Sequence, residues 1–267
     1  MADDGDVIIH PEGHEFGEQM SLGQRIFYRF MRGVIIVVTR TYFRARVRGA
    51  ENIPASGAFI LSPIHRSNLD TPFIALATRR RLRYMGKETL WKSRFGAWFF
   101  TALGGFPVQR GSADREAMRI CQQVLQRGEP LVLFPEGTRQ GGPDVQHFFD
   151  GAAFLACRTG VPIVPVGLGG SESAMRKGSK MVYPVRMTIV IGEPIMPPPG
   201  SEGGRTSRKA IKAMTTELSD RVQVLFDEAQ VLAGRPNDHS GSDSAPTAAG
   251  PGSSAAPGAD PDPTEPA

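Results

Sequence analysis

The stretch AFILSPIHRSNLD (Ala58–Asp70) is an apolar run that ends in a histidine and an aspartate. Its first six residues have the pattern of a β-strand. The next residues, TPFIALATRR (71–80), have the pattern of a helix, in which Pro72 is tolerated in the first turn. On one regular helix, the side chains of His65 and Asp70 would point roughly 140° apart. A bend between a strand and a helix can instead bring them together, so we expect such a bend here.

The same alternation of strand and helix patterns continues to about residue 233. Further strand patterns cover 82–87, 106–109, 130–135, 161–168 and 185–192. Helix patterns cover 112–128 with Ser112 as a possible N-cap, 152–160 and 205–233. The stretch 89–103 has the pattern of a helix or of an apolar surface segment. Alternation of this kind predicts an α/β fold: a layered domain with a largely parallel central sheet flanked by helices.

Composition divides the chain into four parts. We expect a flexible leader over 1–20, an amphipathic helix over 21–44 and the α/β domain over 45–233. The remainder, 234–267, is rich in Pro, Gly, Ser and Ala and is predicted to be a disordered, acidic tail.

The amphipathic helix and the charge both favour an anionic partner. Five acidic residues and no basic ones follow Arg235, so the rest of the chain carries about +9 although the whole carries +4. Arginines alternate with aromatic and aliphatic residues over 21–44, as in membrane-surface helices. An ordinary packing helix with a solvated basic face is the alternative. The apolar run GVIIVVT (33–39) is far shorter than the roughly 20 residues that a spanning helix needs.

His65 and Asp70 have the chemistry of an acid–base pair. A histidine takes up a proton near neutral pH, and a carboxylate bound to its other ring N–H fixes the tautomer and stabilises the imidazolium. The alternative is that Asp70 only caps the following helix and that His65 is an ordinary loop residue. The chain has no G-x-S-x-G motif that would mark a serine nucleophile. If His65 is a base, we therefore expect it to act on a substrate hydroxyl.

Two further stretches place arginines after predicted strands. GGFPVQR (104–110) ends in one, and LFPEGTRQGG (133–142) carries Thr138 and Arg139 in a glycine-rich loop. Guanidinium groups bind phosphate bidentately, and a glycine such as Gly137 lets backbone N–H groups approach a ligand. A surface arginine beside a turn is the alternative in each case.

Taken in order, these stretches resemble the sequence blocks of the 1-acylglycerol-3-phosphate acyltransferase family, which acylates glycerolipids. The family's His-x4-Asp block corresponds to His65 and Asp70, with Ser67 also in place. Its G-x-F/I-P/F-V-x-R, F-P-E-G-T-R and V-P-I-x-P-V blocks correspond to 104–110, 134–139 and 161–166. The resemblance covers roughly residues 45–230 and identifies the α/β domain as an acyltransferase domain.

The resemblance has three departures. Ile64 stands where the family usually has Asn, and Gln140 where it often has Ser. FFDG (148–151) replaces the F-K-x-G element of many relatives, with Phe149 and Asp150 at its centre. The loss of a cation near the expected phosphate site leaves open which lipid is the acceptor.

The resemblance implies transfer of a fatty acyl chain from acyl-CoA or acyl carrier protein to the sn-2 hydroxyl of 1-acylglycerol-3-phosphate, giving phosphatidic acid. It implies that His65 is the catalytic base and Asp70 its partner. The implied substrate-binding residues are Ser67, Arg110, Glu136, Gly137, Thr138 and Arg139. No metal or other cofactor is required. We expect a cytoplasmic protein that is peripherally associated with the inner face of the membrane and has no nucleic-acid partner.

Three other functions stay open. An acyltransferase with a different lipid acceptor is favoured by the FFDG departure. A thioester hydrolase, in which His65 activates water, would leave the arginine-bearing blocks without a purpose. A non-catalytic lipid-surface binding protein would not need the pair of His65 and Asp70.

Overall fold

The computed structural model describes residues 20–108, 114–176, 178–199 and 207–239. Ser112 and nearly all of the predicted leader and tail lie outside these residues. The chain divides after Asn237 into two units, of which the first carries the fold described below.

A single sheet forms the centre of this unit. The strands of the described residues are β1 (Arg46–Arg48), β2 (Ile60–Pro63), β3 (Arg83–Lys87), β4 (Gly105–Val108), β5 (Leu131–Val132), β6 (Ile163–Gly169) and β7 (Thr188–Ile191). They pair in the order β1-β7-β6-β2-β5-β3-β4. The five strands from β6 to β4 are parallel, whereas β7 is antiparallel to β6 and parallel to β1. This arrangement confirms the predicted α/β fold with a largely parallel sheet.

Helices flank the sheet. Among the described residues they are α1 (Leu22–Thr41), α2 (Asp70–Ile74), α3 (Arg94–Ala102), α4 (Asp114–Gln126), α5 (Gly151–Thr159), α6 (Ser171–Ala174) and α7 (Arg208–Ala233), with 3-10 turns at Ala50–Asn52 and Glu88–Trp91. Ser21 caps α1: its hydroxyl accepts a hydrogen bond from the Gln24 N–H, and its own N–H donates to the Gln24 side-chain oxygen. Ser207 caps α7 in the same position relative to the helix.

The long helix α7 packs directly on β6. Its buried face carries Met214, Leu218, Val222 and Phe226, at the spacing that predicted the helix. Gly167 and Gly169 make this contact possible, because a Cβ atom at either position would collide with the α7 backbone at Leu225 or Ala229.

Three predicted elements have wrong bounds. The helix predicted over 71–80 ends at Ile74. The Arg32 guanidinium of α1 binds the carbonyls of Ala75 and Thr78, 2.6 and 2.9 Å away, and the first of these would have been bonded internally in a longer helix. The strand predicted over 130–135 ends at Val132 because the chain then turns. The helix predicted over 89–103 is divided, since Ser93 caps a new helix after the 3-10 turn.

Within the part of the chain that the structure describes, no helix has both the length and the apolar character needed to cross a membrane.

The sequence patterns do not predict the strand β1 or the helix α6, because three or four residues carry too little periodicity to be recognised.

Candidate active site

Neighbouring parallel strands deliver the His65 turn and the Glu136 loop to one edge of the sheet. The His65 turn follows β2 and the Glu136 loop follows β5, and these strands pair directly, with Ile60 opposite Leu131. Parallel strands end at the same edge, which is where α/β proteins usually build their sites. A backbone hydrogen bond of 2.9 Å from the Gln140 N–H to the His65 carbonyl then joins the loop to the turn.

The bend after β2 brings His65 and Asp70 together, as the sequence predicts. His65 Nδ1 lies 3.0 Å from Asp70 Oδ2, although the residues are five apart in the chain. The same oxygen accepts the backbone N–H groups of Arg66 and Ser67 at 2.7 and 2.6 Å, so it acts as an acceptor and Nδ1 is the donor. Nε2 is then left with the lone pair that can take up a proton. Asp70 is fully buried, while the His65 side chain keeps 17% of its surface exposed.

The aromatic ring of Phe134 supports the imidazole from one side. The two rings are stacked, with their centroids 4.0 Å apart and their planes 27° from parallel. Because Phe134 belongs to the stretch after β5, the ring of His65 is held by both segments at once.

A buried ion pair fastens the two segments to each other. Arg66 Nη1 lies 2.8 Å from Glu136 Oε1, and both side chains are almost completely buried. The other carboxylate oxygen of Glu136 accepts the His65 backbone N–H at 2.9 Å. Arg66 Nη2 donates to the Asp144 carbonyl at 2.9 Å, and the guanidinium lies over the Phe226 ring of α7. Glu136 therefore points into the protein, and its carboxylate holds the His65 turn.

The loop after Glu136 turns its polar groups outward. Gly137 has φ = 69°, and Phe149 lies where a side chain at this position would project. The N–H groups of Gly137 and Thr138 are used inside the loop by the carbonyls of Phe134 and Glu136. The Thr138 hydroxyl accepts from the Gln140 side chain at 3.1 Å, so its hydrogen remains available to a ligand.

Arg139 and Ser67 occupy different surroundings. Arg139 is half-buried, and its guanidinium has no hydrogen-bond or ion-pair partner among the described residues. The Ser67 hydroxyl, in contrast, is buried and donates to the Met175 carbonyl at 2.9 Å, which ties the turn to the segment after α6. Arg110 lies outside the described residues. The strand that leads to it, β4, ends at Val108 on the same edge of the sheet.

Comparison with known proteins agrees with this geometry. An acyltransferase family model matches residues 44–169, a range that contains the His65 turn, the Glu136 loop and β6. A 1-acyl-sn-glycerol-3-phosphate acyltransferase of Bacillus subtilis is 26% identical over 206 residues, which cover 77% of this chain and 100% of the relative. Residues 44–169 therefore form an acyltransferase domain.

Other acyltransferases are similar at comparable levels. The chloroplastic 1-acyl-sn-glycerol-3-phosphate acyltransferase BAT2 of Brassica napus is 24% identical over 71% of this chain, and the match spans only 56% of that protein's length. The crystal structure of the 1-acyl-sn-glycerophosphate (LPA) acyltransferase PlsC from Thermotoga maritima superposes with a TM-score of 0.59 at 26% identity, covering 77% of this chain and 83% of that one.

The candidate site contains contacts that the sequence did not reveal. Arg66, the Asp144 carbonyl and the Gln146 N–H, which donates to Glu136 at 3.1 Å, complete the buried network. The sequence indicates a role for Arg66 only through its position inside the His65 block. Its partner, however, is 70 residues away and could not be chosen among the other acids of the chain.

Proposed function

We propose that this protein transfers a fatty acyl group from a thioester donor, acyl-CoA or acyl carrier protein, to the sn-2 hydroxyl of 1-acylglycerol-3-phosphate, giving phosphatidic acid. The observation that carries the proposal is the 3.0 Å contact of His65 and Asp70 next to a loop whose Arg139 has no partner among the described residues. The names of the Bacillus subtilis and Thermotoga maritima proteins support the same substrate.

The chemistry follows from the ring nitrogens of His65. Nε2 removes the proton of the sn-2 hydroxyl as its oxygen attacks the thioester carbonyl, which gives a tetrahedral intermediate. The intermediate expels the thiolate, which receives that proton from His65. Asp70 holds Nδ1–H throughout and stabilises the imidazolium that exists between the two transfers.

The phosphate of the acceptor would bind to the outward side of the Glu136 loop. Arg139 offers a planar guanidinium and Thr138 offers a hydroxyl hydrogen. Gly137 would contribute by shaping the loop, because its N–H is bound to the Phe134 carbonyl and the Phe149 ring lies against it. Arg110 would add a second guanidinium from the end of β4. Ser67 and Glu136 would contribute indirectly, because both side chains are buried and occupied by protein groups.

The surface around α1 supports peripheral binding to the inner face of a membrane. Leu22, Ile26, Phe30 and Val37 form an exposed apolar stripe along α1, between exposed arginines. The exposed rings of Phe95 and Trp98 on α3 continue it, and Trp98 packs against Phe27 of α1 with 4.7 Å between ring centroids. Both acceptor and product are membrane lipids, so a site beside such a surface would receive and release them there.

An acyltransferase with a different lysolipid acceptor is the second candidate. Phe149 is 60% exposed and lies beside Gly137, where many relatives place a lysine. Asp150 is bound to Thr215 at 2.8 Å, so its carboxylate is engaged with α7. An apolar ring beside the phosphate loop suits a less highly charged headgroup.

One assay tests both candidates. Purified protein receives a labelled acyl thioester and, separately, lysophosphatidic acid, other lysophospholipids and a monoacylglycerol of the same chain length. We expect lysophosphatidic acid to be acylated fastest and His65→Ala to lower turnover at least about 10²-fold. Asn68→Ala, an exposed change in the same turn, is the control. Preference for another acceptor would favour the second candidate, and release of free fatty acid alone would indicate a hydrolase.

A further inference from the structure

The segment 178–186, here called the 178–186 loop, exposes consecutive apolar side chains. Met181 and Tyr183 keep 61% and 48% of their surfaces exposed, with Val182 between them at 38%. The loop has no helix or strand, and neither the predicted membrane segments nor the mechanism above uses it. Three successive exposed apolar residues differ from the scattered ones that any soluble surface carries.

The loop is fixed to the end of the proposed membrane helix. The Tyr42 hydroxyl, at the end of α1, donates to the Val182 carbonyl at 3.2 Å. The Met187 N–H donates to the Phe43 carbonyl at 3.1 Å, and Val185 packs against the small buried cluster that contains Phe43. The exposed apolar stripe of α1 ends at Val37, Val38 and Tyr42, so the loop prolongs the same surface.

The loop is also joined to the catalytic turn. The Tyr183 N–H donates to the Ala174 carbonyl at 2.8 Å, and the neighbouring Met175 carbonyl accepts the Ser67 hydroxyl at 2.9 Å. Ser67 in turn donates its N–H to the carboxylate that holds His65. One short path of hydrogen bonds therefore connects the exposed loop to the site.

The charge of this region favours an anionic binding partner. No acidic residue occurs between Glu172 and Glu193 or between Glu18 and Glu51 in the sequence. The exposed basic side chains that border the loop and the end of α1 are Arg40, Arg44, Arg176, Lys180 and Arg186. Apolar side chains surrounded by cations fit a membrane that contains acidic lipids.

We propose that the 178–186 loop is a second membrane contact, which inserts Met181 and Tyr183 into an anionic lipid surface beside the catalytic turn. The inference rests on the proposed function, and it specifies from which side the acceptor arrives: between the end of α1 and this loop. The lipid surface thus contacts the protein on α1, on α3 and on the 178–186 loop.

An environment-sensitive fluorophore attached to Met181→Cys tests the contact. Both native cysteines are buried, and burial raises the pKa of the Cys121 thiol to about 12, so labelling near neutral pH is confined to the introduced residue. Matched probes go to Phe30→Cys on α1 and to Val224→Cys, an exposed position on α7. Vesicles of phosphatidylcholine with and without phosphatidic acid are added to each labelled variant.

We expect the emission at position 181 to shift to the blue with anionic vesicles and that at 224 to stay unchanged. A shift at position 30 without one at 181 would overturn the loop contact while leaving the membrane helix intact. No shift at either position would overturn both. A shift at 181 that depends on protein concentration without vesicles would show a second copy of the chain as the occupant and overturn the proposal.

A double variant, Met181→Asp with Tyr183→Asp, links the contact to turnover without relying on the probe. Both side chains are exposed, so the fold should be kept, which circular dichroism checks. We expect vesicle affinity and turnover of vesicle-embedded acceptor to fall about tenfold or more, with turnover of a monomeric short-chain acceptor unchanged. Equal losses on both acceptors, or none on either, would contradict the proposal.

Discussion

Arg66 and Glu136 form a buried ion pair directly beneath the His65 turn. Removing one partner of a buried pair leaves the other as an uncompensated charge, which typically costs about 3–5 kcal/mol. We therefore expect Arg66→Met and Glu136→Gln each to lower the free energy of unfolding by about this amount. The double variant should lose less than the sum, because neither charge is then left alone.

Urea denaturation of the wild type, Arg66→Met, Glu136→Gln and the double variant measures these changes in the free energy of unfolding. The matched control is Arg221→Met, which breaks the exposed pair of Arg221 and Glu217 on α7 and should cost less than about 1 kcal/mol. If Glu136 bound the acceptor directly, Glu136→Gln would raise KM and leave stability near that of the wild type. That result would refute the positioning role.

Arg139 is expected to recognise the acceptor's phosphate, because its guanidinium is unpartnered among the described residues and lies in the loop joined to His65. Hydrogen bonds to charged groups contribute about 1.5–3 kcal/mol, so Arg139→Ala should lower kcat/KM for lysophosphatidic acid roughly 10- to 150-fold. Arg139→Lys keeps the charge but loses the planar fork and should still be impaired. Arg158→Ala, exposed on α5, makes the same change of net charge and should have little effect. An equal loss with a monoacylglycerol would argue against phosphate recognition.

The sequence predicts the His65–Asp70 contact because both residues lie in one short turn whose flanking patterns are readable. It does not predict the inward position of Glu136. Its acidic side chain in a glycine-rich loop resembles a ligand-binding residue, and only the fold shows that Arg66 meets it. Contacts within a turn follow from local spacing, whereas this pair depends on which strands become neighbours.

Among the secondary-structure elements of the described fold, β6 and α7 pack against each other most extensively. The backbone of α7 approaches β6 where Gly167 and Gly169 lack side chains. Gly167→Ala must therefore push the helix outward, and we expect it to lower the free energy of unfolding by about 3 kcal/mol or more, at the upper end of typical overpacking costs.

The matched control for Gly167→Ala is Gly33→Ala in α1, where no atom lies within 4 Å of the added methyl group. That change should leave stability unchanged or raise it by up to about 1 kcal/mol, since alanine favours the helix. Thermal unfolding followed by circular dichroism compares the two. Similar midpoints for both variants would mean that α7 adapts freely to β6.

Helix periodicity predicts α1 and α7 well because both repeat apolar residues at helical spacing over many turns, on a buried face in α7 and on a largely exposed one in α1. It fails for α2, where tertiary contacts decide the length. The Arg32 guanidinium of α1 binds the Ala75 and Thr78 carbonyls just beyond the end of α2, and no pattern within 71–80 reveals this. The same contact joins the proposed membrane helix to the helix that Asp70 begins.

At the scale of the whole molecule, the sheet order explains why separate sequence blocks converge. The His65 turn follows β2, and the direct neighbours of β2 are β5 and β6, which carry the blocks with Glu136 and Val161–Val166. The block that ends in Arg110 contains β4, which lies three strands from β2, or roughly 14 Å at the usual strand spacing. A glycerophosphate headgroup bound at Arg139 would thus lie between the base and β4. The reversed direction of β7 and β1 could not be predicted, since strand patterns carry no information on direction.

The distribution of exposed apolar side chains predicts how the whole protein meets a membrane. Phe30 on α1 and Phe95 on α3 are 66% and 72% exposed, and contacts of Phe27 with Trp98 and Phe99 hold the two helices together. Exchange of both exposed rings for aspartate, Phe30→Asp with Phe95→Asp, should reduce binding to anionic vesicles at least about tenfold, because apolar burial is lost and negative charge is added. Val224→Asp on α7 is the control and should bind normally.

Salt and extraction separate a peripheral contact from an integral one. Raising the ionic strength shortens the range of electrostatic attraction to less than 10 Å, so wild-type binding to anionic vesicles should weaken with salt. Cosedimentation at increasing salt measures this for the wild type, the double variant and Val224→Asp. Binding that resisted both salt and alkaline extraction would contradict peripheral association. Undiminished binding of the double variant would show that α1 and α3 do not form the membrane contact.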